Sequence, residues 1–326
     1  MENTDGLETT LLSVLERRPD GCEVLVVLNV PYNDPYGLQG EIQILQAPSG
    51  SNLVECINLG IFTTSAPIVH VLAAGYEVDT AWVERALKHF EDPRVAAVAP
   101  GVYYPMDRGT IIAAGVPCDG NRKRIVQRNV DQSAAAPLAP TLQAAFYRRS
   151  ALEAFGGGLP TAVGDKFADI DLAESLHQAN WLLKSEPECR VFGSAGEDSI
   201  AGGFTSGFTA ERFYWRHSPP RGIMSRLTHL PQAITDSMRC KPLWKAPAEL
   251  AGRLTAICQY RHYRRHRQML ATSTAAALAA QGDWLSMQKM TANNAASPTV
   301  RLDSPHAAIK PSRLEGQRRR TQRQRK

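Results

Sequence analysis

The sequence predicts an α/β protein, a doubly wound mixed sheet flanked by helices, followed by a helical and then disordered basic C-terminal extension. Short apolar, β-branched runs alternate with stretches of helical period, the order that builds a sheet with helices on its faces. At 326 residues and 43% hydrophobic composition, the chain is long enough to bury a sizeable core. The charge is divided: residues 201–326 hold 22 of the 37 Lys+Arg and 6 of the 32 Asp+Glu, whereas 1–200 hold 15 and 26. The expected division is a main domain over 1–217, a helical extension over 218–290 and a disordered basic tail over 291–326.

Taken in order, Glu8 to Arg18 has the pattern of an amphipathic helix with Leu11, Leu12 and Leu15 on one side, ended by Pro19–Gly21. Glu23 to Asn29 is a near-continuous apolar run, the mark of a strand buried on both faces. A strand over Glu41 to Gln46, a helix bearing Asn58 and Gly60, and a strand over Ile68 to Leu72 follow. Residues 80–90 have helical period, and Val95 to Ala99 form another strand. Residues 101–141 read as a hairpin-like excursion with a basic tip at Arg122, Lys123 and Arg124. SEPECRVFG (185–193) reads as a late strand, and Arg253 to Leu270 as one basic helix with Leu254, Ile257 and Cys258 opposed by Arg261, Arg264, Arg265 and Arg267.

The stretch from Ala144 to Trp181 organises the rest. A strand over Leu142 to Tyr147 ends in Arg148 and Arg149; a short helix with Leu152 and Phe155 is stopped by Gly156–Gly158. A loop carrying Asp165, Asp169 and Asp171 then leads into a helix with Leu172, Leu176 and Ala179 on one face. Carboxylates there can cap the helix, or one can be a base held ionised by the helix dipole.

In order and shape, YRRSAL, FGGGLP and ADIDLAESLHQANW resemble the family 2 glycosyltransferases of the GT-A fold. LLSVLERRPDGCEVLVVLN, NLG before SAP, and WVERALKHFEDPRVAAVAP extend the resemblance to about 190 residues. It implies a nucleotide-sugar donor, a glycan or lipid-linked acceptor, and inverting transfer in cell-surface glycan synthesis. It implies that Asp169 is the base that deprotonates the acceptor hydroxyl, with Asp34, Asn58 and Gly60 near the nucleotide. Asp171 is expected as a cap. Arg212 and Arg216, set among Phe213, Tyr214 and Trp215, are expected either to cover the diphosphate or to pin a C-terminal helix.

Several positions depart from the family. Ala168 stands where its first acid is usual, Ser175 replaces a frequent Arg, Asn180 a frequent Gly, and Ser194 a frequent His. Ala73, Ala74 and Gly75 occupy the place of the Asp-x-Asp motif that holds a divalent metal, with Glu77 the acid nearby, so no metal and no cofactor are expected. His70, inside an apolar run, reads as a core histidine. The family's first strand lacks a counterpart, and the expectation is that the reading frame continues upstream of Met1 through a strand-like segment. These losses also suit a catalytically inactive relative that acts as a binding or scaffold partner.

No apolar run approaches the roughly 20 residues that cross a bilayer. The six cysteines are scattered singly, without C-x-x-C, which suits reduced thiols in a cytoplasmic protein. The expected location is cytoplasmic, with peripheral contact to an anionic membrane surface through the basic C-terminal region. Nucleic acid is not the expected partner, since charge alone would carry it.

Overall fold

Apolar β-branched residues fill the strands of the main sheet, and the degree of burial follows each strand's place in it. In the computed structural model, β5 (Val95–Tyr103) is buried at all nine residues. It pairs antiparallel with β9 (Ala144–Arg148) and parallel with β10 (Leu182–Phe192). Beyond β9 lies β3 (Ile68–Leu72), antiparallel, with His70 opposite Phe146 and Val69 opposite Tyr147. The short β4 (Glu77–Val78) closes the far side on β10, and β6 (Ile111–Ala113) pairs with β5. The described residues are 5–32, 34, 37–117, 138–194, 203–217, 242–259 and 261–275, with single positions at 229, 231, 233–235, 237, 238, 278, 279 and 282. The basic tip at 122–124 and the tail over 291–326 lie outside them.

A separate parallel pair joins β1 (Leu25–Leu28) to β2 (Gln43–Gln46). The apolar run at 23–29 predicts a strand buried on both faces. In the structure Val26 alone is buried in β1, because the strand's one ladder partner among the described residues is β2. Helix α1 (Asp5–Arg17) covers this pair with Leu7 and Leu11, while Leu12, expected on the same face, is exposed. Strands β7 (Val116–Pro117) and β8 (Leu138–Ala139) form a third, antiparallel ladder.

Both faces of the main sheet are covered. On one, α3 (Trp82–His89) packs Trp82, Val83 and Ala86 against Val98 and Phe146. On the other, α2 (Leu53–Thr63), α4 (Arg149–Glu153) and α5 (Asp165–Gln178) enclose a larger core with Tyr147, Leu152, Leu172 and Trp181. This mixed sheet between helical layers is the α/β class that the alternating pattern predicts.

Local chemistry sets the joints. Asn52 starts α2 with a capping box, accepting from the Glu55 amide while the Glu55 carboxylate accepts from its own. Arg148, which ends β9, and Arg149, which begins α4, close two other helices. Arg148 donates to the carbonyls of Phe90, Asp92 and Val95 after α3, and Arg149 to those of Ile61 and Ala66 after α2. Carbonyls at a helix C-terminus lack intrahelical partners and carry partial negative charge, so a guanidinium there satisfies both demands. Gly156 and Gly157, at φ 101 and 91, then turn the chain out of α4.

The C-terminal region differs from its sequence reading. The single helix expected over 253–270 is two: α7 (Ala246–Ile257) and α8 (261–275). The break falls at Gln259, whose side chain is held by Arg212 at 2.8 Å. Leu254 faces solvent, and α7 buries Glu249, Gly252 and Ala256 instead. Those residues meet α6 (Phe204–His217) at a crossing with no room for side chains. A Cβ on Gly207 would lie 2.0 Å from the Glu249 carbonyl oxygen, and one on Gly252 2.0 Å from that of Phe204. Gly252→Ala and Gly207→Ala are therefore each expected to lower stability by about 1–3 kcal/mol or more, measured by urea unfolding.

Candidate functional site

The three acids expected on a loop all lie in α5, which begins at Asp165. They do different work. The Asp165 carboxylate reaches back over more than a hundred residues to α2, accepting from the amides of Leu53 at 3.0 Å and Val54 at 3.2 Å. It is a cap, but for another helix.

Asp171, expected to cap its own helix, sits in the middle of α5 and is fully buried. Arg216 donates to both of its oxygens at 2.7 Å, and the His217 ring lies 2.8 Å from Oδ1. Burial alone would favour the neutral acid, but the charges of Arg216 and then His217 outweigh it and hold the carboxyl well below its usual range. Arg216, a candidate for the diphosphate, is 6% exposed and committed to this pair. Arg212 is similarly engaged, donating to the Ala162 carbonyl and Gln259 and lying over the Phe208 ring.

Helix α8 joins the same cluster. His262 Nε2 lies 3.0 Å from Arg216 Nη1, so that nitrogen accepts and the proton belongs on Nδ1. His266 packs edge-on to His217, centroids 5.3 Å apart, with neither ring nitrogen hydrogen-bonded among the described residues. Burial, with Arg212 and Arg216 nearby, lowers His262 to about 4; burial and then Arg216 lower His266 to about 3. The sequence reading missed this assembly, although Arg216–His217 and the four-residue spacing of His262 and His266 were there to be read.

Asp169 is 1% exposed, and its Oδ1 accepts from the following amide at 2.8 Å. Tyr147, at the end of β9, is its neighbour on the sheet side. Burial raises the Tyr147 hydroxyl far above its usual range, and the Asp169 charge adds to the rise. Asn58 is a clamp: its amide donates to the Leu159 carbonyl and its carbonyl accepts from the Leu159 amide. A Cβ on Gly158 would lie 2.4 Å from Asn58 Oδ1, which is why this turn needs glycine. Gly60 brings α2 close to β1, where a Cβ would stand 3.2 Å from a Val27 methyl. Asp34 lines a shallow, open depression of about 420 Å³ with Ile42, Gln43 and Ile44.

The place where the resemblance would put a metal is filled by backbone. The Gly75 amide donates to the Gly6 carbonyl and to Thr10 Oγ1 of α1, and Glu77 is paired with Arg108 at 3.2 Å. Ala73, Ala74 and Gly75 offer no side-chain ligand to a metal, and among the described residues no group of three His, Cys, Asp or Glu stands close enough to hold one. His70, expected in the core, is half-buried in β3, stacked on Phe146 at 3.9 Å, and burial of its ring lowers it to about 3.

No protein-family model matches the chain, and no curated protein does. Among solved structures, the mannosyltransferase PcManGT from Pyrobaculum calidifontis, in complex with GDP-Man and Mn2+, is 19% identical over 86% of this chain and 85% of its own, with a TM-score of 0.44. GalNAc-T7 with UDP, GalNAc and Mn2+ is 14% identical over 76% of this chain and 54% of its own, at 0.48. S. aureus TarS 1-349 is 10% identical over 86% of this chain and 88% of its own, at 0.49.

Two outcomes test the cluster. Asp171→Asn leaves Arg216 buried without its counter-charge and is expected to cost about 3–5 kcal/mol in denaturant unfolding. For His262 and His266 the folded values lie below the ordinary 6.5, so the unfolded chain binds protons first. Their contribution is complete above about pH 6.5 and is lost as pH falls toward 4 and then 3. The melting temperature is expected to fall over that range in the wild type, and less steeply in His266→Leu.

Proposed function

We propose that the chain is a glycosyltransferase-like protein of the GT-A type that moves a sugar from a nucleotide-sugar donor to an acceptor hydroxyl with inversion. One observation carries the reading. The segment that bears the sequence resemblance folds as a unit, β9 to glycine turn to α5, and Asp165 and Asp171 have structural duties within it. Asp169 is then the acid proposed as base, on the second turn of α5 beside the end of β9.

In the proposed step the Asp169 carboxylate takes the proton of the acceptor hydroxyl. The oxygen attacks the anomeric carbon from the face opposite the diphosphate, the bond to the diphosphate breaks, and the nucleoside diphosphate leaves. Because the residues at Ala73–Gly75 do not fit a metal, transfer is proposed to be metal-independent. Stabilisation of the leaving diphosphate is not assigned to Arg216 or Arg212, which hold Asp171 and Gln259. The proposed acceptor is a glycan or lipid-linked sugar of the cell surface.

A second reading, a non-catalytic relative that binds or scaffolds, is favoured by a specific set of contacts. Asn58, Arg212 and Arg216, all expected at the donor, make internal hydrogen bonds, and Asp169 is 1% exposed.

Melting against a panel of nucleotide sugars, with and without manganese, separates the two. A donor at 100 times its Kd adds about 2.7 kcal/mol, a shift of several degrees. The transferase reading expects that shift for one donor without manganese, and expects Asp169→Asn to lower turnover by about 10²–10⁴-fold with the shift retained. Full activity in Asp169→Asn removes the assignment of the base.

A further inference from the structure

The helical residues beyond α6 are built inside out. An ordinary surface helix buries its apolar stripe and exposes its polar one. Between 233 and 238 the buried pair is Ala233 and Ser237, with the Ser237 hydroxyl held by Arg253 at 3.1 Å, and the exposed pair is Ile234 and Met238. Both pairs are four residues apart, so each occupies one face. Helix α7 repeats the inversion: Glu249 is buried and Leu254 is 63% exposed. At the N-terminus of α7, a single turn of 3₁₀ helix (Leu243–Lys245) leaves Leu243 70% and Trp244 75% exposed.

The polar interior of this region accounts for the inversion. Glu211, fully buried on α6, accepts from Trp215 and Arg253 and meets the His229 ring at 2.9 Å, while Glu249 pairs with the same Arg253. With the inner faces given over to this network, the apolar side chains face outward. Large apolar side chains exposed at four positions between 234 and 244 of the chain mark a docking surface.

Charge selects the partner. Lys245 lies 5.5 Å from the Trp244 ring, Arg261, Arg264 and Arg265 are exposed on α8, and residues 201–326 hold 22 Lys+Arg against 6 Asp+Glu. Tryptophan beside lysine suits the headgroup boundary of a bilayer, where one end of each side chain is apolar and the other wet. Nucleic acid would use the cations and leave Leu243, Met238 and Ile234 without a role. We infer that the turn at Leu243–Lys245, with Ile234 and Met238, is a foot that docks the protein on an anionic lipid surface. No described helix is long and apolar enough to cross a membrane, so the contact is interfacial.

The full chain is tested by co-sedimentation with vesicles of phosphatidylcholine alone and with phosphatidylglycerol added. Binding to the anionic vesicles alone is expected, and Leu243→Ala/Trp244→Ala should weaken it by at least about tenfold. Both side chains are largely exposed, so the variant should melt with the wild type, and Trp244→Phe should restore most of the binding. Equal binding by wild type and the double variant would assign the attraction to basic charge alone and overturn the inference. So would an absence of binding by the wild type, or a self-association in solution that the double variant abolishes.

Discussion

A carboxylate fully removed from water must be paired or neutralised, and Asp171 meets that demand with residues from elsewhere in the chain. Its partners, Arg216 and His217, come from the end of α6, and His262 brings in α8 through the same guanidinium. Three helices distant in sequence thus share one charge. Removing Asp171 or Arg216 leaves the other buried without its counter-charge, which ordinarily costs more than the pair contributes. The orientation of α5, and with it the position of Asp169, depends on this cluster on one side and on the Asp165 contact with α2 on the other.

The same economy of polar groups runs through the helices around the main sheet. Arg148 and Arg149 close the ends of α3 and α2, and Asn58 ties α2 to the turn before α5. Each polar side chain completes a backbone group that burial would otherwise leave unpaired. The joints of the fold and the surroundings of the candidate site are set by the same hydrogen bonds. Ala73–Gly75 lies where the backbone and Thr10 of α1 pack.

Much of the architecture was legible because burial leaves a mark on local composition. The apolar run at Val95 placed β5, and the Gly156–Gly158 run marked the end of α4, since only glycine takes those dihedral angles freely. What was not legible depends on distance along the chain. Nothing near Asp165 says that its oxygens serve Leu53, and nothing near Asp171 says that Arg216 will reach it across 45 residues. Local pattern can nominate an acid for a site; it cannot tell a base from a strut. The split of the 253–270 segment was hidden for a similar reason, because a side chain from α6 holds Gln259 at the break. The outward-facing apolar residues ran against the assumption that an apolar stripe points inward.

The crossing of α6 and α7 has a consequence for how this protein varies. Gly207 and Gly252 bring two backbones into contact with no side chain between them. Most interfaces drift by small steps, a valine for an isoleucine, and remain an interface throughout. This one offers no such intermediates, because the first carbon added to either glycine meets a carbonyl oxygen. It can be inherited whole or lost, but not retuned, and neither glycine should change in any lineage that keeps this crossing.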